Sequence, residues 1–74
     1  MSSSKYECLR FTPNGEIGSI STFYTRDMGN AILDVMALTF GSADIVYKSN
    51  LRTILTTPDG QIFLIRRLLE GSES

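Results

Sequence analysis

The sequence predicts a small α+β domain: a five-stranded antiparallel sheet in the order 2-1-5-4-3, with one helix packed on one face. Three observations carry this expectation. The stretch Asp27 to Phe40 has the apolar period of a helix and lies between two groups of short, β-like segments. Two turns of nearly the same wording, Thr12 to Ile17 (TPNGEI) and Thr57 to Ile62 (TPDGQI), each join two of those segments. The last segment is apolar on both faces, as a central, doubly covered strand is.

Taken in order, Met1 to Ser4 and Gly71 to Ser74 are polar and read as frayed ends. That leaves one domain over residues 1–74 with an ordered core of about 5–70. Lys5 to Thr12 is rich in aromatic and β-favouring side chains and reads as the first strand. Pro13-Asn14-Gly15 turns the chain, because proline presets φ and glycine takes a left-handed position. Ile17 to Tyr24 then pairs back on the first strand, with Gly18 marking a bulge or a close backbone approach.

For the helix, Thr25 or Asp27 is the expected cap, and Gly41 the left-handed stop. At about 100° per residue, Met28, Ala31, Ile32, Val35, Met36, Leu38 and Thr39 gather on the side that meets the sheet. Leu33, Ala37 and Phe40 fall on the far side, and only Asn30 and Asp34 form a polar strip. Beyond Gly41, Asp44 to Lys48 reads as a third strand, although the helical stripe can also be continued to about Lys48, which leaves four strands. Leu51 to Thr57 alternates, with Leu51, Thr53 and Leu55 opposed to Arg52, Ile54 and Thr56. In the last strand, Gln61 to Leu69, Ile62 and Leu64 point one way and Phe63 and Ile65 the other. Hairpin pairing sets the fourth strand beside the fifth and the third beside the fourth. The first hairpin must then dock on the free edge of the fifth, most simply through the first strand.

Seventy-four residues make a thin core, since a chain of this size buries only about 60% of its unfolded surface. Cys8 is the only cysteine and histidine is absent, so neither a disulfide within the chain nor a structural zinc site is expected. No cofactor is expected either. A partner is what remains to stabilise so small a unit. The net charge of −1 argues against a general polyanion binder. No apolar run approaches membrane-spanning length and the first residues carry no signal-peptide pattern, so a reducing, cytoplasmic setting is expected.

Catalysis is not expected. General acid–base work near neutral pH most naturally uses histidine, and the carboxylates are scattered over turns, the helix start and the polar strip. Cys8, with no histidine to activate it, reads as a packing residue. The helix, by contrast, has an apolar arc well over twice the ~100° that one sheet can cover. Gly29, Leu33, Ala37 and Phe40 are therefore expected to form an interface with another protein chain, in a homodimer or a heteromeric complex. The alternative is a single-stranded nucleic-acid platform using Lys48, Arg52, Arg66 and Arg67, with Tyr47 and Phe63 nearby for stacking. Against it, four cations on a small domain are ordinary surface charge or strand-edge protection.

The β-β-α-β-β-β order with a central last strand resembles the profilin-like group, in particular the roadblock and longin-type small domains. The closing hairpin, Leu51-Arg52-Thr53-Ile54-Leu55-Thr56-Thr57-Pro58-Asp59-Gly60-Gln61-Ile62-Phe63-Leu64, also resembles the closing hairpins of roadblock domains. The resemblance covers about Tyr6 to Leu69, and the chain departs from it by lacking the flanking helices such domains often carry on the second sheet face. What it implies is a non-enzymatic dimerising scaffold that regulates small GTPases or motor and signalling complexes.

Overall fold

Both Thr-Pro-(Asn/Asp)-Gly segments close by the same hydrogen bonds. Thr12 N–H donates to the Glu16 carbonyl at 2.7 Å and Gly15 N–H to the Thr12 carbonyl at 2.8 Å. Thr57 and Gly60 repeat these bonds with Gln61 and Thr57, each at 3.0 Å. The threonine hydroxyl completes each turn by accepting from the backbone N–H of Glu16 or Gln61, at 3.3 and 3.1 Å. Gly15 and Gly60 supply the left-handed position, at φ of 88° and 94°, which a side chain would resist. Asp59 accepts from the Thr57 hydroxyl and from Gln61 Nε2, and these two bonds hold its carboxyl below the usual carboxylate range.

The computed structural model describes residues 3–68; Met1, Ser2 and residues 69–74 lie outside the described residues, and with them most of the expected fraying and the place of Leu69 in the last strand. The elements are β1 (Ser4–Phe11), β2 (Ile17–Thr25), α1 (Met28–Leu38), β3 (Asp44–Lys48), β4 (Arg52–Thr56) and β5 (Ile62–Leu68). The five strands form one antiparallel sheet in the order β2-β1-β5-β4-β3, as the two-sided apolarity of the last strand predicts. Ser4 is not frayed: it pairs with Thr25, extending the first hairpin by a residue on each strand.

Asp27 is the cap of α1. Its Oδ1 accepts from the backbone N–H of Asn30 at 2.9 Å and from Asn30 Nδ2 at 3.1 Å, satisfying one orphan donor of the first turn. The helix stops one residue earlier than Gly41 alone would dictate. Phe40 and Gly41 are both left-handed, at φ of 56° and 79°, and Gly41 N–H closes back on the Met36 carbonyl at 3.0 Å. Two left-handed residues in succession rule out a helix continuing to Lys48, and Asp44 to Lys48 is a strand.

Met28, Ala31, Ile32 and Val35 meet Tyr6 and Cys8 of β1, Leu55 of β4, and Phe63 and Ile65 of β5, with Ala43 closing one end. Phe23 and Met36 pack at the margin, where the Tyr6 and Phe23 rings stack at 6.1 Å. Thr53 is fully buried among these residues, and its hydroxyl has no hydrogen-bond partner. One expected core residue is not there: Leu38 is exposed, because the last turn of α1 overhangs a cleft and not the sheet.

Candidate functional site

The helix covers one face of the sheet, and nothing in the described residues covers the other. Register decides which side chains share that open face. Ile20 lies opposite Leu9, Leu9 opposite Leu64, Leu64 opposite Ile54, and Ile54 opposite Tyr47. One apolar row therefore crosses all five strands. A second row, Ile17, Phe11 and Ile62, lies beside it on one side. On the other side comes a polar row, Thr22, Glu7, Arg66 and Arg52. Ile20 is 57% exposed and Tyr47 50%, at the two ends of the apolar row; Leu9, Leu64 and Ile54 between them are half-buried only by one another and by their neighbours. A contiguous apolar patch of this kind marks an interaction surface far more often than scattered single residues do.

The stripe expected on the helix, Gly29, Leu33, Ala37 and Phe40, lies on the opposite side of the molecule, and all four residues are exposed. A Cβ built on Gly29 meets nothing closer than its own cap, Asp27 Oδ1, at 3.4 Å, so a neighbour can approach the helix backbone there. Phe40 is 98% exposed and left-handed. That conformation costs a non-glycine residue about 1–2 kcal/mol, and no contact of the Phe40 ring within the domain offsets it. Leu33 and Leu38, 64% and 70% exposed, widen this second apolar patch.

The four cations of the alternative reading are divided by the sheet. Arg52 and Arg66 sit side by side on the open face, where Arg66 forms an ion pair with Glu7 at 2.7 Å. Arg67 lies opposite Tyr6 and Lys48 opposite Thr53, both on the helix side. Of the two aromatic residues, Tyr47 is on the open face and Phe63 is buried under the helix.

A cleft of about 540 Å³ lies under the C-terminal end of α1, floored by Cys8 and Phe63 and walled by Arg10, Ser19 and Gln61. Arg10 is held there by Nε donating to Ser19 Oγ at 3.3 Å and Nη1 donating to Gln61 Oε1 at 3.0 Å. Of the two alternatives expected at Gly18, the bulge is the one observed. Gly18 is the extra residue where the register steps from Arg10–Ser19 to Phe11–Ile17, and the atoms that crowd it, 2.6 Å from where a Cβ would stand, belong to the Arg10 guanidinium and not to another backbone. Burial pushes the Cys8 thiol up, away from the reactive thiolate. Among the described residues, no three of His, Cys, Asp and Glu gather as a metal site, and no helix is long and apolar enough to cross a membrane.

The apolar row on the open face was the feature least accessible to sequence reasoning. Alternation within each strand was visible, but a row exists only once register joins the strands, and that depends on the turns and on the bulge at Gly18. No protein-family model, no curated protein and no solved structure matches this chain.

Proposed function

We propose that the chain is a small non-enzymatic protein-interaction module, cytoplasmic, acting as a dimer or as a subunit of a larger complex, whose open sheet face is covered by protein in its working state. The observation that carries this reading is the apolar row from Ile20 through Leu9, Leu64 and Ile54 to Tyr47. Each Leu or Ile side chain taken fully out of water contributes about 1.5–3 kcal/mol. Covering the row is therefore worth several kcal/mol, on the order of the whole stability of so small a domain, so folding and association are coupled. Gly29, Leu33, Ala37 and Phe40 offer a second, smaller contact on the far side. The division of Lys48, Arg52, Arg66 and Arg67 between two sides, with Arg66 already paired, supports a protein partner over a nucleic acid. A dimerising scaffold is also what the roadblock resemblance implies.

Light scattering on a sizing column tests the reading. The purified chain is expected to associate at tens of micromolar, and Leu64→Glu, in the middle of the row, is expected to lower the mass. Circular dichroism and a melting curve confirm that the variant still folds. A monomer at every soluble concentration would remove the reading for the isolated chain.

A further inference from the structure

Three loose ends of the fold meet in the cleft under the C-terminal end of α1. Its volume, about 540 Å³, lies in the range of small-molecule sites, roughly 300–1,000 Å³. The first loose end is a charge. Arg10 is half-buried and stands opposite Ser19 on β2 and Phe63 on β5. Its hydrogen bonds go to neutral groups, Ser19 Oγ and Gln61 Oε1, and use two of its five N–H donors. Among the described residues it forms no ion pair. Asp59 lines the same cleft, but its Oδ1 accepts from the Thr57 hydroxyl and its Oδ2 from Gln61 Nε2. The Gln61 amide thus stands between the acid and the guanidinium. Gly18 completes the arrangement, because the Arg10 guanidinium fills the space that a side chain there would take. The cation is fixed in place without being neutralised, and a planar guanidinium so held suits a carboxylate.

The second loose end is a pair of hydroxyls. Ser19 and Ser21 lie opposite Arg10 and Cys8, on the helix side of the sheet, and both line the cleft. Ser19 Oγ accepts from Arg10, which leaves its O–H to donate, and the Ser21 hydroxyl bonds none of the described residues. By contrast, the Thr39 and Ser42 hydroxyls donate to the Met36 and Thr39 carbonyls and close the end of the helix. The third loose end is Leu38, which overhangs the cleft while 70% exposed, with Pro58 and Phe63 also in the lining.

One occupant meets all three. We infer that this cleft binds a small organic acid with a single carboxylate and an apolar body. The carboxylate lies on Arg10, with the Ser19 and Ser21 hydroxyls donating to it, and the body lies between Leu38 and Phe63, beside Pro58. The limit of one charge follows from the lining. Arg10 is its one cation among the described residues, so a second negative charge would meet Asp59 with nothing to offset it. The cleft is on the helix side of the sheet and uses none of the residues of the open-face row, so this inference is independent of that reading.

Phenylacetate is the probe, titrated into the unaltered chain and read by backbone amide chemical shifts. Saturable shifts are expected at Ser19, Ser21, Leu38 and Gln61. Phenylacetamide, alike in shape but uncharged, is expected to bind roughly tenfold more weakly, as is phenylacetate to Arg10→Gln. Inorganic phosphate, which has charge but no apolar body, is expected to shift the same amides only slightly. Gly18→Ala keeps the arginine but sets a methyl group where its guanidinium lies, and is expected to weaken binding too. Leu38→Asp, a change at an exposed position, is expected to abolish binding and leave the melting temperature unchanged. Shifts that do not saturate, equal affinity for phenylacetamide, or phosphate bound as tightly as phenylacetate would each overturn the inference. So would an affinity for phenylacetate that is the same in folded Arg10→Gln or Leu38→Asp as in the unaltered chain.

Discussion

The two faces of this sheet are built from the same strands and similar side chains, yet they stand in opposite conditions. On β5, Phe63 and Ile65 point under the helix and are 5% and 0% exposed, whereas Ile62, on the other face, is 39% exposed. On β4, Leu55 is fully buried while Ile54 is only half covered. The difference does not lie in composition. One helix of eleven residues covers one face, and nothing else among the described residues covers the other. Apolar residues at alternate positions therefore make a core on one side and an uncovered apolar surface on the other.

The comparison is broken most severely from the covered side. Leu55→Ala leaves a cavity between sheet and helix and is expected to destabilise the chain by about 2–5 kcal/mol, enough to unfold a domain of this size. The matched change on the open face, Ile62→Ala, removes a side chain that is already partly in water and is expected to cost less, about 1 kcal/mol. Urea denaturation of both variants below the association range compares them directly. Equal losses would mean that the open face is already covered within the chain.

A smaller effect of opposite sign is expected where the chain is strained to present an exposed ring. Phe40→Gly relieves the left-handed conformation at φ 56° and should raise stability by about 1–2 kcal/mol. If the Gly29, Leu33, Ala37 and Phe40 stripe is a contact, the same change weakens association, so stability and assembly move in opposite directions. Thermal melts of dilute chain, read beside its mass at high concentration, separate the two effects.

Thr53 sharpens the picture of the covered face, because its buried hydroxyl has no partner there. Thr53→Val removes a desolvated polar group at nearly constant volume and is expected to stabilise by about 1 kcal/mol. A loss on melting would indicate that the hydroxyl does find a partner. The smallest effect is a pH dependence from Cys8 in the same layer. Burial raises its pKa in the folded state above the ordinary 9.0, so the protonated thiol is favoured by folding. That contribution is full below about pH 9 and is lost as pH rises from there through the folded value. Stability measured from pH 8 to 10.5 should fall more steeply for the native chain than for Cys8→Ala.

The strand order could be read from the sequence because one local fact, apolarity on both faces of Gln61 to Leu69, has a consequence for the whole sheet. Both turns were legible for a similar reason: Thr-Pro-(Asn/Asp)-Gly specifies backbone angles and the threonine bonds together. The end of α1 was less so. A periodic stripe does not reveal that Phe40 turns left-handed ahead of Gly41, or that Leu38 hangs over a cleft, since both depend on where the helix stands over the sheet. The helix-stripe residues were legible as residues outside the core, and they are exposed. The open-face row was not, because Ile20, Leu9, Leu64, Ile54 and Tyr47 come from five separate segments that only register aligns.

Whether the uncovered face of the sheet is an assembly surface is read from the solution mass of the unaltered chain beside that of Leu64→Glu, by light scattering over a concentration series. The unaltered chain is expected to associate as concentration rises, and Leu64→Glu, with its fold intact by circular dichroism, is expected not to. Identical masses for the two folded chains at every concentration would contradict it.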